Sequence, residues 1–232
     1  MADSSANIIA VVPAAGSGSR MGAATPKQYL PLRGKPMLWH TVHALLRQSR
    51  ISRVYVVIDE YDAHFDQLDL TTTLAPAVTL RRGGDTRART VLNALESVIT
   101  TLAEDDWVMV HDAARPCLDG AAIERLLQAV VDDPVGGLLA IPVRDTLKRA
   151  RSDGRVDATV PREHFWQAQT PQMFRFGLLL RALRQADLTA ATDEASAIEG
   201  LGMHPRLVMG SARNLKVTYP EDVALAEVFL DR

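Results

Sequence analysis

Apolar residues recur along this chain with two periods. Nearly continuous, β-branched runs at Ile8-Ile9-Ala10-Val11-Val12, Val54-Tyr55-Val56-Val57-Ile58, Trp107-Val108-Met109-Val110 and Gly137-Leu138-Leu139-Ala140-Ile141 predict buried strands. Between them apolar positions fall three and four apart, over Met37 to Arg47 after Pro36, Thr90 to Leu102, and Ile123 to Val131 after Asp119, which predicts helices with one buried face. A weaker strand at Arg206 to Met209 and a closing helix from Pro220 to Leu230, with Glu221-Asp222 in its first turn, complete the pattern. Strand alternating with helix predicts an α/β fold, a Rossmann-like, doubly wound and mostly parallel sheet covered on both faces. Ligands of such sheets bind beyond the carboxyl ends of the strands, so chemistry is expected in the segments that follow each strand.

The alternation breaks between Val143 and Thr159. Here Arg151-Ser152-Asp153-Gly154-Arg155 carries an Asp-Gly pair between two extended segments, Thr146 to Lys148 and Val156 to Val160, and predicts a protruding hairpin. A two-stranded ribbon is marginal on its own in water, so an arm at about 143–165 calls for a covering surface, either a second copy of the chain or its own domain. With no repeat and no low-complexity linker, residues 1–232 are expected to form a single domain bearing this arm.

Composition narrows the functional classes. Apolar residues make up 47% of the 232, enough for one sizeable core. Lys and Arg total 26 against 28 Asp and Glu, a net charge of -2, which argues against a surface built for nucleic acid or anionic lipid and leaves any anion site to a local cluster. Cys117 is the one cysteine, so an intrachain disulfide and a thiolate zinc site are excluded and a reducing, cytoplasmic setting is expected. The N-terminus lacks a basic segment ahead of the first apolar run, which Pro13 stops, and no stretch approaches the roughly 18 apolar residues of a membrane helix.

The first strand leads into Pro13-Ala14-Ala15-Gly16-Ser17-Gly18-Ser19-Arg20-Met21-Gly22, followed by Pro26-Lys27-Gln28. Small residues let backbone N–H groups close on phosphate oxygens, and Arg20 and Lys27 add positive charge. A dinucleotide fingerprint would need glycine where Met21 stands, and a P-loop would end in Gly-Lys-Ser/Thr, so neither is present. The loop is similar to that of sugar-nucleotide-type nucleotidyltransferases, and within them it resembles the methylerythritol phosphate cytidylyltransferases. The likeness continues in order through Gly83-Gly84-Asp85, His111-Asp112-Ala113-Ala114-Arg115-Pro116, Pro142-Val143-Arg144-Asp145-Thr146, Gln169-Thr170-Pro171-Gln172, Thr192-Asp193-Glu194-Ala195-Ser196 and Asn214-Leu215-Lys216-Val217-Thr218.

That resemblance implies transfer of CMP from CTP to 2-C-methyl-D-erythritol 4-phosphate, with Mg²⁺ as cofactor and pyrophosphate as the leaving group. It places Pro13, Ala14, Ala15, Gly16, Gly84, Asp85, Thr90, Asp112 and Ala113 on CTP, with Thr90 standing where many relatives carry serine. Arg20 and Lys27 would hold the triphosphate and stabilise the five-coordinate α-phosphorus. Asp112 would carry the metal, with Asn214 as a second candidate contact. Arg115, Thr146, Arg162, Thr170, Thr192 and Lys216 would take the acceptor, Arg162 and Lys216 gripping and orienting its phosphate. In relatives the arm reaches the neighbouring subunit, so Thr146 and Arg162 would complete the pocket of a homodimer partner.

The residues themselves also support plainer readings. Thr192 precedes Asp193-Glu194 in the manner of a helix cap, and His111 is expected to pack or hydrogen-bond, since an ionised phosphate nucleophile has no proton to lose. Arg81, Arg82, Arg87, Arg89 and the Lys148-Arg149-Arg151 run read as solvated faces, and Trp39, Trp107 and Trp166 as packing. Competing activities on such a fold are a ribitol 5-phosphate cytidylyltransferase, another sugar-phosphate nucleotidyltransferase and a dehydrogenase. Competing from another class is a nucleotide-binding regulator, which would have little use for Arg20, Lys27, Asp112 and Lys216 together.

Overall fold

In the computed structural model, residues 6–16 and 25–230 are described. In chain order they form β1 (Ile8–Pro13), a 3-10 turn (Lys27–Tyr29), the short pair β2 (Pro31–Leu32) and β3 (Lys35–Pro36), α1 (Met37–Leu46) and β4 (Arg53–Ile58). Next come α2 (Ala63–Gln67), α3 (Leu70–Thr73), β5 (Val78–Arg81), α4 (Arg87–Ser97), β6 (Trp107–Val110), α5 (Gly120–Val130) and β7 (Gly136–Pro142). The chain continues through β8 (Leu147–Ala150), β9 (Val156–Val160), β10 (Trp166–Arg175), α6 (Phe176–Gln185), α7 (Glu194–Glu199), β11 (Arg206–Met209) and α8 (Glu221–Leu230).

Seven strands form one sheet in the order β11-β7-β10-β6-β1-β4-β5. All pairings are parallel except those of β10, which runs antiparallel to both β6 and β7. The expected mostly parallel sheet is therefore present, with one inverted strand that hydrophobic patterning did not predict. Strand alternation divides the core between the two faces. Ala10, Val12, Val54, Val56 and Met109 pack with α1 and α5, whereas Ile9, Val11, Val57, Val108 and Val110 pack with α4 and α6. Trp107 is core, as expected, with the Arg175 guanidinium 3.8 Å from its ring centroid.

Helix boundaries follow their caps. Asp119 Oδ1 accepts from Ala122 N at 2.7 Å and starts α5, three residues ahead of the first apolar position used to predict it. Thr86 Oγ1 accepts from Arg89 N at 3.0 Å and starts α4 at Arg87 rather than Thr90. The cap of α7 is Asp193, in a capping box with Ser196, and not Thr192.

The hairpin β8–β9 forms a separate two-stranded sheet. Its turn closes through Gly154 N to Arg151 O at 3.0 Å, with Gly154 at φ 80°, a conformation open to glycine at little cost. Lys148 donates to Thr159 and Arg149 pairs with Asp157 across the strands, both on the exposed surface. Among the described residues no helix is long and apolar enough to cross a membrane.

Candidate active site

Because β1, β4, β5 and β6 are parallel, their carboxyl ends share one edge of the sheet, and a cavity of about 530 Å³ opens there. Its floor is the turn after β1, where Pro13, Ala14, Ala15 and Gly16 line the wall. Ala14 N donates to Val57 O at 2.7 Å, and the Gln28 amide bonds Ala14 O at 2.8 Å and Gly16 O at 3.0 Å. Gln28 thus gathers carbonyls inward and leaves the other side of the turn to face a ligand. Lys27, beside it, lines the cavity and donates to Val217 O at 3.2 Å. Arg20 lies outside the described residues.

A second wall comes from Gly84, Asp85, Thr86, Arg87 and Thr90. A Cβ on Gly83 would lie 2.6 Å from Ala15 Cβ and 3.0 Å from Asp59 Cα, so glycine there lets the two loops touch. The Thr90 hydroxyl donates to Thr86 O at 3.0 Å and accepts from Gly84 N at 3.0 Å, shaping this loop from behind.

The third wall is Asp112, Ala113 and Ala114, after β6, together with Lys216. Asp112 is the electrostatic centre. Its Oδ1 accepts from Arg87 Nε at 2.7 Å, its Oδ2 meets Lys216 Nζ at 2.7 Å, and Arg115 Nε is 3.9 Å from Oδ2. Burial alone would raise the carboxyl, but the charges of Arg87 and Lys216 outweigh it and hold Asp112 well below the usual carboxylate range. Arg87 also makes two parallel bonds to Glu194, Nη1 to Oε1 at 2.6 Å and Nη2 to Oε2 at 2.9 Å. Burial opposes the Arg87 charge, yet Asp112 and Glu194 together raise its affinity for the proton.

Behind this wall a chain of hydrogen bonds has a single direction. Asp112 N donates to Thr170 Oγ1 at 3.0 Å, and Thr170 Oγ1 lies 2.9 Å from His111 Nδ1. His111 Nε2 faces the Arg115 carbonyl at 3.1 Å, which can only accept, so the ring proton belongs on Nε2 and Nδ1 accepts from Thr170. Burial pushes the His111 pKa down to about 4, keeping the ring neutral.

The nucleotide residues predicted from sequence and covered by the structure, together with Lys27 and Lys216, therefore converge on one cavity. The other acceptor residues, Arg115, Thr146, Arg162, Thr170 and Thr192, do not line it. The Arg115 side chain is only 10% exposed, and its guanidinium holds Asn214 O at 2.7 Å and Ala168 O at 3.4 Å, tying down the segment that delivers Lys216. Thr170 is buried with its hydroxyl committed to His111. Thr146, Arg162 and Thr192 are exposed, and none of the three lines the cavity; Arg162 donates to Arg144 O on the arm. Asn214 is buried, with its amide donating to Thr170 O at 2.8 Å and its Oδ1 without a hydrogen-bond partner among the described residues.

Arg87 and Glu194 were missed by sequence reasoning. Local sequence makes Arg87 look like a solvated cation, but it is anchored by a carboxylate 107 positions away, a pairing that no local pattern reveals. The available signal was Glu194 itself, a second acidic residue directly after the helix-cap Asp193 in a motif whose other members, Thr192, Ala195 and Ser196, are small or hydroxyl side chains.

A model of the 2-C-methyl-D-erythritol 4-phosphate cytidylyltransferase (IspD) family matches residues 8–232. A protein of that name from Nitrosospira multiformis is 52% identical over 97% of this chain and 97% of its own length. A crystal structure described as 4-diphosphocytidyl-2C-methyl-D-erythritol synthase superposes with TM-score 0.85 at 42% identity, covering 97% of this chain and 99% of that one. The Francisella tularensis 2-C-methyl-D-erythritol 4-phosphate cytidylyltransferase does so with TM-score 0.80 at 34% identity, covering 97% and 100%. With the match running from β1 to the C-terminus at such identity, the chain belongs to the 2-C-methyl-D-erythritol 4-phosphate cytidylyltransferase family.

Proposed function

We propose that the protein transfers CMP from CTP to 2-C-methyl-D-erythritol 4-phosphate, giving 4-diphosphocytidyl-2-C-methyl-D-erythritol and pyrophosphate in isoprenoid precursor synthesis. The observation that carries this is one cavity at the strand ends uniting the small-residue turn 13–16, Lys27, the 84–86 loop with the first turn of α4, Asp112 and Lys216, in a chain of that family. A phosphate oxygen of the acceptor forms a bond to the α-phosphorus of CTP as the bond to pyrophosphate breaks. No protein nucleophile is required, and rate comes from positioning and charge.

Terminal phosphates carry about −1.5 to −2 near neutrality, so the two reactants repel. Lys27 and Arg20 offset that charge on the triphosphate, and Lys216 faces the incoming phosphate. The 84–86 loop ahead of α4 presents backbone groups to the base. Mg²⁺ suits the donor set. The cavity has a buried, ionised carboxylate in Asp112 but no cluster of three metal-ligating side chains among the described residues, so the ion would be held by Asp112 and the nucleotide's own phosphate oxygens. When bound it would neutralise charge on the leaving pyrophosphate.

The acceptor half is completed, in this reading, by the arm of a second copy. Arg162 and Thr146 stand exposed on the arm and do not line the cavity of their own chain, and Val156 and Phe165 leave 61% and 50% of their surface uncovered there. A homodimer would bury that apolar surface and bring Arg162 to the neighbouring cavity. The single cysteine is in keeping with a cytoplasmic setting.

The test is pyrophosphate release from CTP with Mg²⁺, with methylerythritol phosphate and ribitol 5-phosphate as parallel acceptors. Release with methylerythritol phosphate alone is expected, falling about a hundredfold or more in Lys27→Ala. Preference for ribitol phosphate would overturn the assigned acceptor. Absence of release with either, from folded protein that binds CTP, would overturn the reading.

A further inference from the structure

We propose that Arg87 and Glu194 act as a positioning pair, fixing the plane of the Asp112 carboxylate at the nucleotide cavity through the guanidinium that bridges them. The proposal rests on the cytidylyltransferase reading and extends it to a residue, Glu194, that does not itself line the cavity.

The geometry assigns each atom one task. Glu194 takes both terminal nitrogens of Arg87, at 2.6 and 2.9 Å, in the fork-to-fork arrangement that orients a guanidinium most tightly. With its terminal nitrogens so engaged, Nε is directed at Asp112 Oδ1 at 2.7 Å. Lys216 then takes the other oxygen at 2.7 Å, so the carboxylate is held from both sides. The four charges alternate, Glu194, Arg87, Asp112, Lys216, with Arg115 as a fifth, 3.9 Å from Asp112 Oδ2.

Glu194 is in turn built in from below. It is fully buried, and the residues on both sides of it are pinned by one side chain of β10: Gln172 donates to Asp193 Oδ2 at 2.8 Å and accepts from Ala195 N at 2.8 Å. The start of α4 is likewise capped, one residue before Arg87. A buried ion pair directly behind the cavity wall is weak support for stability, since well-packed apolar residues of similar volume in place of both partners often serve as well or better. Orientation of Asp112 gives it a role.

Glu194→Gln keeps shape and removes the charge, and Arg87→Lys keeps the charge and removes the fork. We expect each to lower kcat about tenfold while changing KM for CTP less than about threefold, and the double variant to be within about twofold of either single one, as for residues acting as a unit. Losses that multiply, a raised KM for CTP with kcat retained, or unchanged kcat in both variants would overturn the proposal. The Arg87 Nε–H proton, followed by NMR without substrates, gives a readout independent of turnover. It should be protected from exchange in the wild type and lose that protection in Glu194→Gln, and equal protection in both would overturn the proposal even if the assigned reaction proved wrong.

Discussion

His111 lies between fixed partners, Thr170 on one nitrogen and the Arg115 carbonyl on the other, and its burial keeps it uncharged. Its folded-state pKa is lowered from the ordinary 6.5 to about 4, so between those values the unfolded chain binds a proton that the native protein refuses. Stability should therefore fall as pH drops from about 6.5 toward 4 in the ligand-free protein, measurable by urea unfolding at successive pH values. His43, also lowered by burial, adds in the same direction, and His111→Gln should be less stable overall yet flatter across the window. Asp112 acts lower. Its carboxyl is held down in the folded state, so the stability it contributes is present above its ordinary 3.8 and is lost only as pH falls beneath that. At this scale the sequence was most legible where motif and local backbone coincide, as in Pro13 to Gly16 and Asp112. It was least legible where a residue's role depends on a distant partner: Arg87, Arg115 and Thr170 are defined by Glu194, Asn214 and His111.

Among elements, the uniformly apolar parallel strands β1, β4, β6 and β7 were readable because both faces of each are covered. The inverted strand β10 was not, since Gln167, Gln169, Thr170, Pro171 and Gln172 make it look like a polar loop. Three of those polar residues are buried and satisfied instead by specific bonds, Gln169 to Ser211 O, Thr170 to His111 and Gln172 to α7. The edge strand β5, only half-buried, has too little apolar content to stand out. Two predictions belong to this scale. Asp193→Ala removes the α7 cap and should cost about 1 kcal/mol in thermal or denaturant unfolding. Gly83→Ala drives a methyl into Ala15 and the Asp59 backbone, and should destabilise by roughly 1–3 kcal/mol while weakening CTP binding measured by calorimetry.

For the molecule as a whole, the distribution of site residues is uneven. Groups expected on the nucleotide share one cavity in a single chain, whereas Thr146 and Arg162 stand exposed on the arm and do not line it. The hairpin itself was legible from Asp153-Gly154 between extended segments, but what it covers depends on assembly, which sequence periodicity does not encode. We propose a divided active site, with the nucleotide half from one chain and Arg162 and Thr146 from the arm of another. Mixing Lys27→Ala with Arg162→Ala, each inactive alone, tests it most directly. After subunit exchange, half the dimers are heterodimers with one intact site of two, so pyrophosphate release should return to about a quarter of the wild-type rate. A mixture that exchanges subunits yet remains as inactive as its parents would contradict the account.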